Sequence, residues 1–138
     1  MDRRRYQVFL SSTYRDLVEE RKEIIQAILE LDYFPAGMEM FPASSDDAWS
    51  LIKSVIDDSD IYVVVVGNRY GSISDDGISF TQKEYEYAIR KNIPVLPFLH
   101  NDPESVPARD SDLDPASQVK LKNFRTTLEN THHAKYFT

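Results

Sequence analysis

Glu84 sits in the stretch GISFTQKEYEYAIRKNIPVL, Gly77 to Leu96, which has the form of a loop, a helix start and then a buried strand. A carboxylate on the first turn of a helix that opens into a cleft can hold ribose hydroxyls. It can also stabilise the oxocarbenium-like centre that develops as an N-glycosidic bond breaks. Ala88 lies one turn on and leaves that helix face uncrowded. The competing reading is local, because Thr81-Gln82-Lys83-Glu84 also has the S/T-x-x-E form in which the glutamate turns back to the cap amide and meets no ligand. Ser79 and Thr81 stand at the approach to Glu84 under either reading.

Two further groups of polar residues accompany it. Ser11, Ser12 and Thr13 follow a short apolar run, and hydroxyls and amides at a helix N-terminus can hold a phosphate or a ribose; as plain cap residues they would do neither. Asn68, Arg69 and Tyr70 directly follow the most apolar run of the chain. Arg69 has the geometry to pair with a phosphate or, equally, to form a surface salt bridge. Trp49 falls on the inward stripe of its helix, which assigns it to the core rather than to base stacking. His132 and His133 are adjacent and cannot share a helix face as a ligand pair, so no metal site is expected. The sequence GxxxxGK[ST] does not occur, and the chain has no P-loop.

The elements that position these groups follow from hydrophobic spacing. Gln7–Leu10 reads as a strand, and Leu17, Ile24, Ile28 and Leu31 mark one face of a first helix. Thr13 with Asp16 resembles a capping box for that helix, and Glu19, Glu20 and Glu23 suit its N-terminal half, where the helix dipole favours acid. A second strand is expected over Tyr33–Met38, then a helix capped from PASSDD with Trp49, Ile52, Val55 and Ile56 inward. Ile61–Val66, IYVVVV, is apolar on both faces and therefore a central parallel strand. A helix over Thr81–Lys91, a fourth strand in PVLPFL, a last helix marked by Val119 or Leu121, Phe124 and Leu128, and a short strand in AKYFT complete the set. HNDPESVPARDSDLDP, with three prolines and many acids, is a loop.

Strand and helix alternate at a spacing that demands right-handed crossovers with helices on both sheet faces. The expected fold is α/β: a flavodoxin-like three-layer sandwich with a four- or five-stranded parallel sheet in the order 2-1-3-4-5. In such sheets ligands bind beyond the carboxyl ends of the strands where the order reverses, here between strands one and three. That is where Ser11–Thr13, the loop Gly67–Ser79 and the start of the Glu84 helix converge.

Composition bounds the partners. The 138 residues, 41% hydrophobic, suit one domain. A net charge of -7 argues against nucleic acid, which needs a basic face; Arg3–Arg5 is too short a run to supply one. There are no cysteines, which excludes disulfides and thiolate zinc sites and fits a reducing, cytoplasmic setting. The start MDRRRYQVFL enters a strand directly, with no apolar run of signal-peptide length, and the longest apolar run falls far below the roughly 20 residues that span a bilayer.

VFLSSTYRDLVEER, Met38-Glu39, SDIYVVVVGNRYGS and SFTQKEYEYAIRKNIPVL together resemble a domain of unknown function at the N-termini of multidomain bacterial and animal proteins, often ahead of STAND-type NTPase modules. That domain is in turn similar to TIR and nucleoside 2-deoxyribosyltransferase-like folds. The resemblance runs from about Tyr6 to Thr138. It implies that Glu84, with Ala88 one turn later, acts on the ribose of a nucleoside or of NAD, and that Ser11, Ser12 and Tyr70 bind the ligand. It implies no cofactor, with NAD or a nucleotide as substrate instead. The serine-plus-cysteine approach of TIR domains is absent here, and Ser79 and Thr81 take its place. The resemblance also implies that residues 1–138 are a piece of a longer chain whose remainder holds a sensor and an NTPase switch. Its partners would then be the other domains of that chain and, on activation, further copies of itself. Two functions follow as expectations: an effector that cleaves an N-glycosidic bond when clustered in a bacterial defence receptor, or a non-catalytic module that binds a nucleotide or self-associates.

Overall fold

The structure, a computed structural model, describes residues 5–38, 48–102 and 114–137. Glu39, the PASSDD segment, most of the proline-rich loop after His100, Arg3, Arg4 and Thr138 lie outside the described residues. The elements run β1 (Gln7–Ser12), α1 (Val18–Glu30), β2 (Phe34–Gly37), α2 (Ala48–Asp57), β3 (Ile61–Val66), α3 (Phe80–Arg90), β4 (Val95–His100), α4 (Pro115–Thr131) and β5 (Lys135–Phe137). All five strands form one parallel sheet in the order β2-β1-β3-β4-β5, the flavodoxin-like order expected from the alternation of elements.

β3 is the centre. Its register places Val63 beside Leu10 on one side and beside Leu96 on the other. Side chains alternate across the pleat, and the two faces of the sheet build two cores. Phe9, Tyr62, Val64 and Leu99 pack with Ile56 of α2, Tyr85 and Ala88 of α3, and Leu121, Phe124 and Leu128 of α4. Val8, Leu10, Val63 and Val65 pack on the opposite face under α1, through Leu17 and Ile28. Among the described residues, three helices cover one face and α1 alone lies on the other.

The helix ends explain the chain's turns. α1 and α3 both close on a left-handed residue, Asp32 at φ 64° and Asn92 at φ 58°, a conformation that short polar side chains tolerate better than most. In each, the next amide reaches back into the last turn: Tyr33 N donates to Ile28 O, and Ile93 N donates to Ala88 O. Asp114 caps α4 by accepting from Ala116 N, with Pro115 at its first turn where a missing N–H costs nothing.

Several local expectations need correction. β1 extends through Ser11 and Ser12, which pair with Val64 and Val65 of β3. α1 begins only at Val18, so the Ser-Ser-Thr hydroxyls neither cap a helix nor stand at its N-terminus. Its N-cap residue, Leu17, makes no side-chain cap bond, and Thr13 Oγ1 donates to the Asp16 carboxylate instead of to a backbone amide. Leu31 follows the helix and is exposed. Trp49 is half-buried outside both cores, with Lys83 Nζ 4.6 Å from its ring centroid and Tyr87 against its edge. A side chain at the first turn of α2 overhangs the gap to α3 instead of reaching the sheet.

Candidate functional site

The sheet order reverses between β1 and β3, and two loops meet there. They approach closely because two glycines permit it. A Cβ on Gly67 would lie 3.0 Å from Asp16 Oδ2 and 3.2 Å from Leu17 Cδ2; one on Gly71 would lie 2.8 Å from Thr13 Cγ2, at a φ of +96° that L side chains rarely adopt. The second loop then folds on itself through Ser74 Oγ to Ile78 O, 2.8 Å, and Phe80 N to Ser72 O, 3.1 Å. That turn delivers Ser79 as the cap of α3.

Ser79 Oγ accepts from Gln82 N at 3.1 Å, which makes Ser79 the N-cap and starts the helix at Phe80, one residue before Thr81. The capping pattern is thus Ser79 with Gln82. Glu84 lies beyond it, and its carboxyl is not turned back on the cap. It faces the sheet, where Ser11 Oγ donates to Glu84 Oε1 at 2.7 Å. Ala88, completely buried one turn later, lets α3 approach β1 and β3 closely enough for that contact.

The surroundings of this carboxyl set its protonation. Glu84 is half-buried as a residue, but its acid group is packed among protein atoms, and desolvation pushes its pKa up from 4.5 to about 7. The Ser11 hydrogen bond and the Arg21 charge pull the other way without cancelling it. Tyr62, fully buried on β3, is raised well above the ordinary tyrosine range by its own burial first and by the neighbouring Glu84 charge second. It stays a neutral phenol beside the acid.

Arg21 is the partner that hydrophobic spacing hides. It is 1% exposed, and its Nη1 donates to Ser12 Oγ at 2.9 Å, with Leu10 O at 3.5 Å. Ser12 Oγ in turn donates to Thr13 O at 2.6 Å. A buried guanidinium is costly unless hydrogen-bonded, and these oxygens offset the cost. One signal could have found it: Arg21 stands four residues after Leu17 and three before Ile24, on the apolar stripe of α1, where a charge is out of place unless it meets something polar in the core.

Beside this cluster opens a cavity of about 280 Å³ lined by Ser12, Thr13, Tyr14, Arg15, Met38, Arg69, Ser72 and Phe80. Ser12, Thr13 and Arg69 of the expected ligand-binding set line it; Arg15 and Phe80 line it without having been expected. Ser11 and Glu84 meet one another next to it and are not among its lining residues. The remaining expected residues are placed otherwise. Tyr70 is buried in the core with its hydroxyl donating to Gln82 Oε1 at 2.5 Å, Ser79 caps α3, and Thr81 is buried with its carbonyl 3.4 Å from Tyr62 Oη. Asn68 is half-buried directly after β3. His132 bonds to the Tyr85 hydroxyl through Nε2 at 2.8 Å, and among the described residues no group of three or more His, Asp or Glu could hold a metal ion. No helix among them is long and apolar enough to cross a membrane.

Compared with known families, residues 7–138 match the model described as "Domain of unknown function (DUF4062)". No curated protein matches the chain.

Proposed function

The chain belongs to the DUF4062 family, a domain of unknown function; from the Glu84 cluster at the reversal point of its sheet we propose that it hydrolyses an N-glycosidic bond of NAD or a related nucleotide. One observation carries the reading: a carboxyl with a pKa of about 7, held by Ser11 at the reversal point of the sheet. An acid tuned near neutrality can change charge at working pH, which suits it to stabilise a developing cation or to take a proton from water.

In this reading the nucleotide lies in the cavity between the two loops, a volume near the lower end of ordinary ligand sites. Arg15 and Arg69 face its phosphates, Thr13 meets a ribose hydroxyl, and Phe80 offers a ring to a base. The anomeric carbon points inward toward Glu84. As the bond to the base breaks, the base leaves with the bonding electron pair, as neutral nicotinamide in the case of NAD, and the ionised carboxylate stabilises the positive charge left at that carbon; water adds its oxygen there, and its proton passes to Glu84 or to solvent. The TIR and deoxyribosyltransferase likeness of the sequence motifs agrees with this chemistry. The same likeness suggests activation by clustering, with the domain heading a longer receptor in bacterial defence.

A second reading has its own observation. Because Glu84 is engaged by Ser11 and does not line the cavity, the same architecture suits a module that binds a nucleotide intact and signals by self-association. Incubating the clustered domain with NAD and with simple nucleotides, then separating the products, distinguishes the two. Release of free base and a ribose product supports hydrolysis. Saturable binding with the nucleotide recovered intact supports the module.

A further inference from the structure

β1 ends on two serines that face opposite ways. Successive side chains of a strand alternate across the pleat, so Ser11 shares a side with Phe9, toward α3, and Ser12 shares a side with Val8 and Leu10, toward α1. Each serine meets one ionisable side chain. Ser11 Oγ donates to Glu84 Oε1 at 2.7 Å, and Ser12 Oγ accepts from Arg21 Nη1 at 2.9 Å. Arg21 Nη1 also lies 3.5 Å from Leu10 O, on the residue before Ser11. An acid and a guanidinium thus reach the same strand end from the two faces of the sheet, through adjacent residues. Arg21 is 1% exposed, so solvent screens its field little there.

We infer that Arg21 is a positioning residue of the Glu84 site: from behind the sheet it holds the end of β1, through Ser12 and Leu10, where Ser11 meets the acid, and it supplies the positive charge that the ionised Glu84 faces across the strand. Among the described residues, the other groups around the carboxyl are neutral or engaged elsewhere. β1 presents the Ser11 hydroxyl, and β3 presents Tyr62, a neutral phenol. On α3 itself Lys83 turns to Asp76 at 3.0 Å and to the Trp49 ring, and Glu86 accepts from Gln82. α2 gives Asp57 to Tyr87, and α4 gives His132 to Tyr85. Asp16 accepts from Thr13, and Arg15 and Arg69 line the neighbouring cavity. Burial pushes the Glu84 pKa up, and the Ser11 hydrogen bond and then the Arg21 charge hold it down. A guanidinium keeps its charge throughout the range in which Glu84 titrates, so the field it applies is constant. The bearing of Arg21 on turnover rests on the proposed hydrolysis; its contacts and its charge do not.

The test uses the folded domain, labelled in the arginine guanidinium nitrogens and the glutamate carboxyl carbons, and followed by NMR across a pH titration. In the wild type the Arg21 resonances should move with the Glu84 midpoint, about 7, and should stand still in Glu84→Gln. Arg21→Met keeps an apolar stem and removes the charge, and should raise the Glu84 midpoint by about one pH unit. Where the domain releases base from NAD, the rising limb of its pH profile should move up with that midpoint; a purely structural role would lower the rate without moving the limb. Arg21 resonances that do not follow Glu84, or an unchanged Glu84 midpoint in a folded Arg21→Met variant, would each overturn the inference. The wild-type comparison with Glu84→Gln decides even where Arg21→Met fails to fold. Linked titration without base release supports the role of Arg21 and contradicts the hydrolysis alone.

Discussion

At the scale of single residues, Glu84 works against the stability of its own fold. Its carboxyl ionises near 4.5 in an unfolded chain and near 7 in the folded one, so the native state holds the proton more tightly. The associated stability is present in full below pH 4.5, is lost as pH rises toward 7, and is absent above that. Glu84→Gln keeps an acceptor for Ser11 and removes the buried charge. It should therefore stabilise the domain by about 1–3 kcal/mol at pH 8, allowing for partial solvent screening, and by almost nothing at pH 4. Urea unfolding at the two pH values measures this; equal effects at both would mean an ordinary pKa. Ser11→Ala should move the Glu84 titration upward from about 7, since the serine hydroxyl stabilises the anion, and carboxyl carbon NMR shifts would show an unchanged midpoint if it does not. The sequence singled out Glu84 and Ser11 but not their contact. The S/T-x-x-E pattern at Thr81 overlaps an S/T-x-x-Q pattern at Ser79, and the turn through Ser74 and Ile78, invisible in the sequence, decides which one caps. Arg21 was legible in principle, as a charge on an apolar stripe, and was masked by the many charged neighbours in VEERKEI.

At the scale of elements, the site depends on two loops that touch. Gly71→Ala would have to place a Cβ 2.8 Å from Thr13 Cγ2 while holding a left-handed backbone, and should cost about 1–3 kcal/mol in thermal or urea unfolding. It should also move the amide resonances of Thr13 and its neighbours, whereas Gly77→Ala, strained by a φ of +83° but with open space around its Cβ, should leave those of Thr13 in place. A neutral Gly71→Ala would mean that the loops do not meet as described. The strand β3 was readable because IYVVVV is apolar at every position and only a doubly covered strand needs that. β4 was readable as a strand, but not as one whose faces differ in burial among the described residues: VLPFLH is apolar on both sides, and only tertiary packing tells which side has a helix on it. The contrast is measurable. Leu99→Ala, in the core under α4, should cost about 2–5 kcal/mol, while Leu96→Ala three residues earlier should cost under about 1 kcal/mol. Equal costs would mean that both faces are covered.

At the scale of the whole molecule, alternating strands and helices dictate the sheet, the sheet order dictates a reversal point, and the reversal point gathers residues distant in the chain. Ser11 and Glu84 are 73 positions apart and share a hydrogen bond. The order β2-β1-β3-β4-β5 was a choice among the few arrangements that chirality and crossover length leave open, and the structure has it. The membership of the cavity was not, because Arg15 and Phe80 carry no local pattern and become neighbours only when β1 and the Gly67–Ser79 loop close on each other. If the cluster is catalytic, turnover should rise between pH 6 and pH 8 as Glu84 ionises, and the charge of that one carboxylate should account for the rate. The most direct measurement is release of free base from NAD and related nucleotides by the clustered domain at pH 8, wild type against Glu84→Gln, with folding of both verified by circular dichroism. The account predicts base release by the wild type and a loss of about a thousandfold or more in the variant, because glutamine supplies no charge to the developing cation. Equal release by a folded Glu84→Gln variant, or intact nucleotide recovered from the clustered wild type, would contradict it.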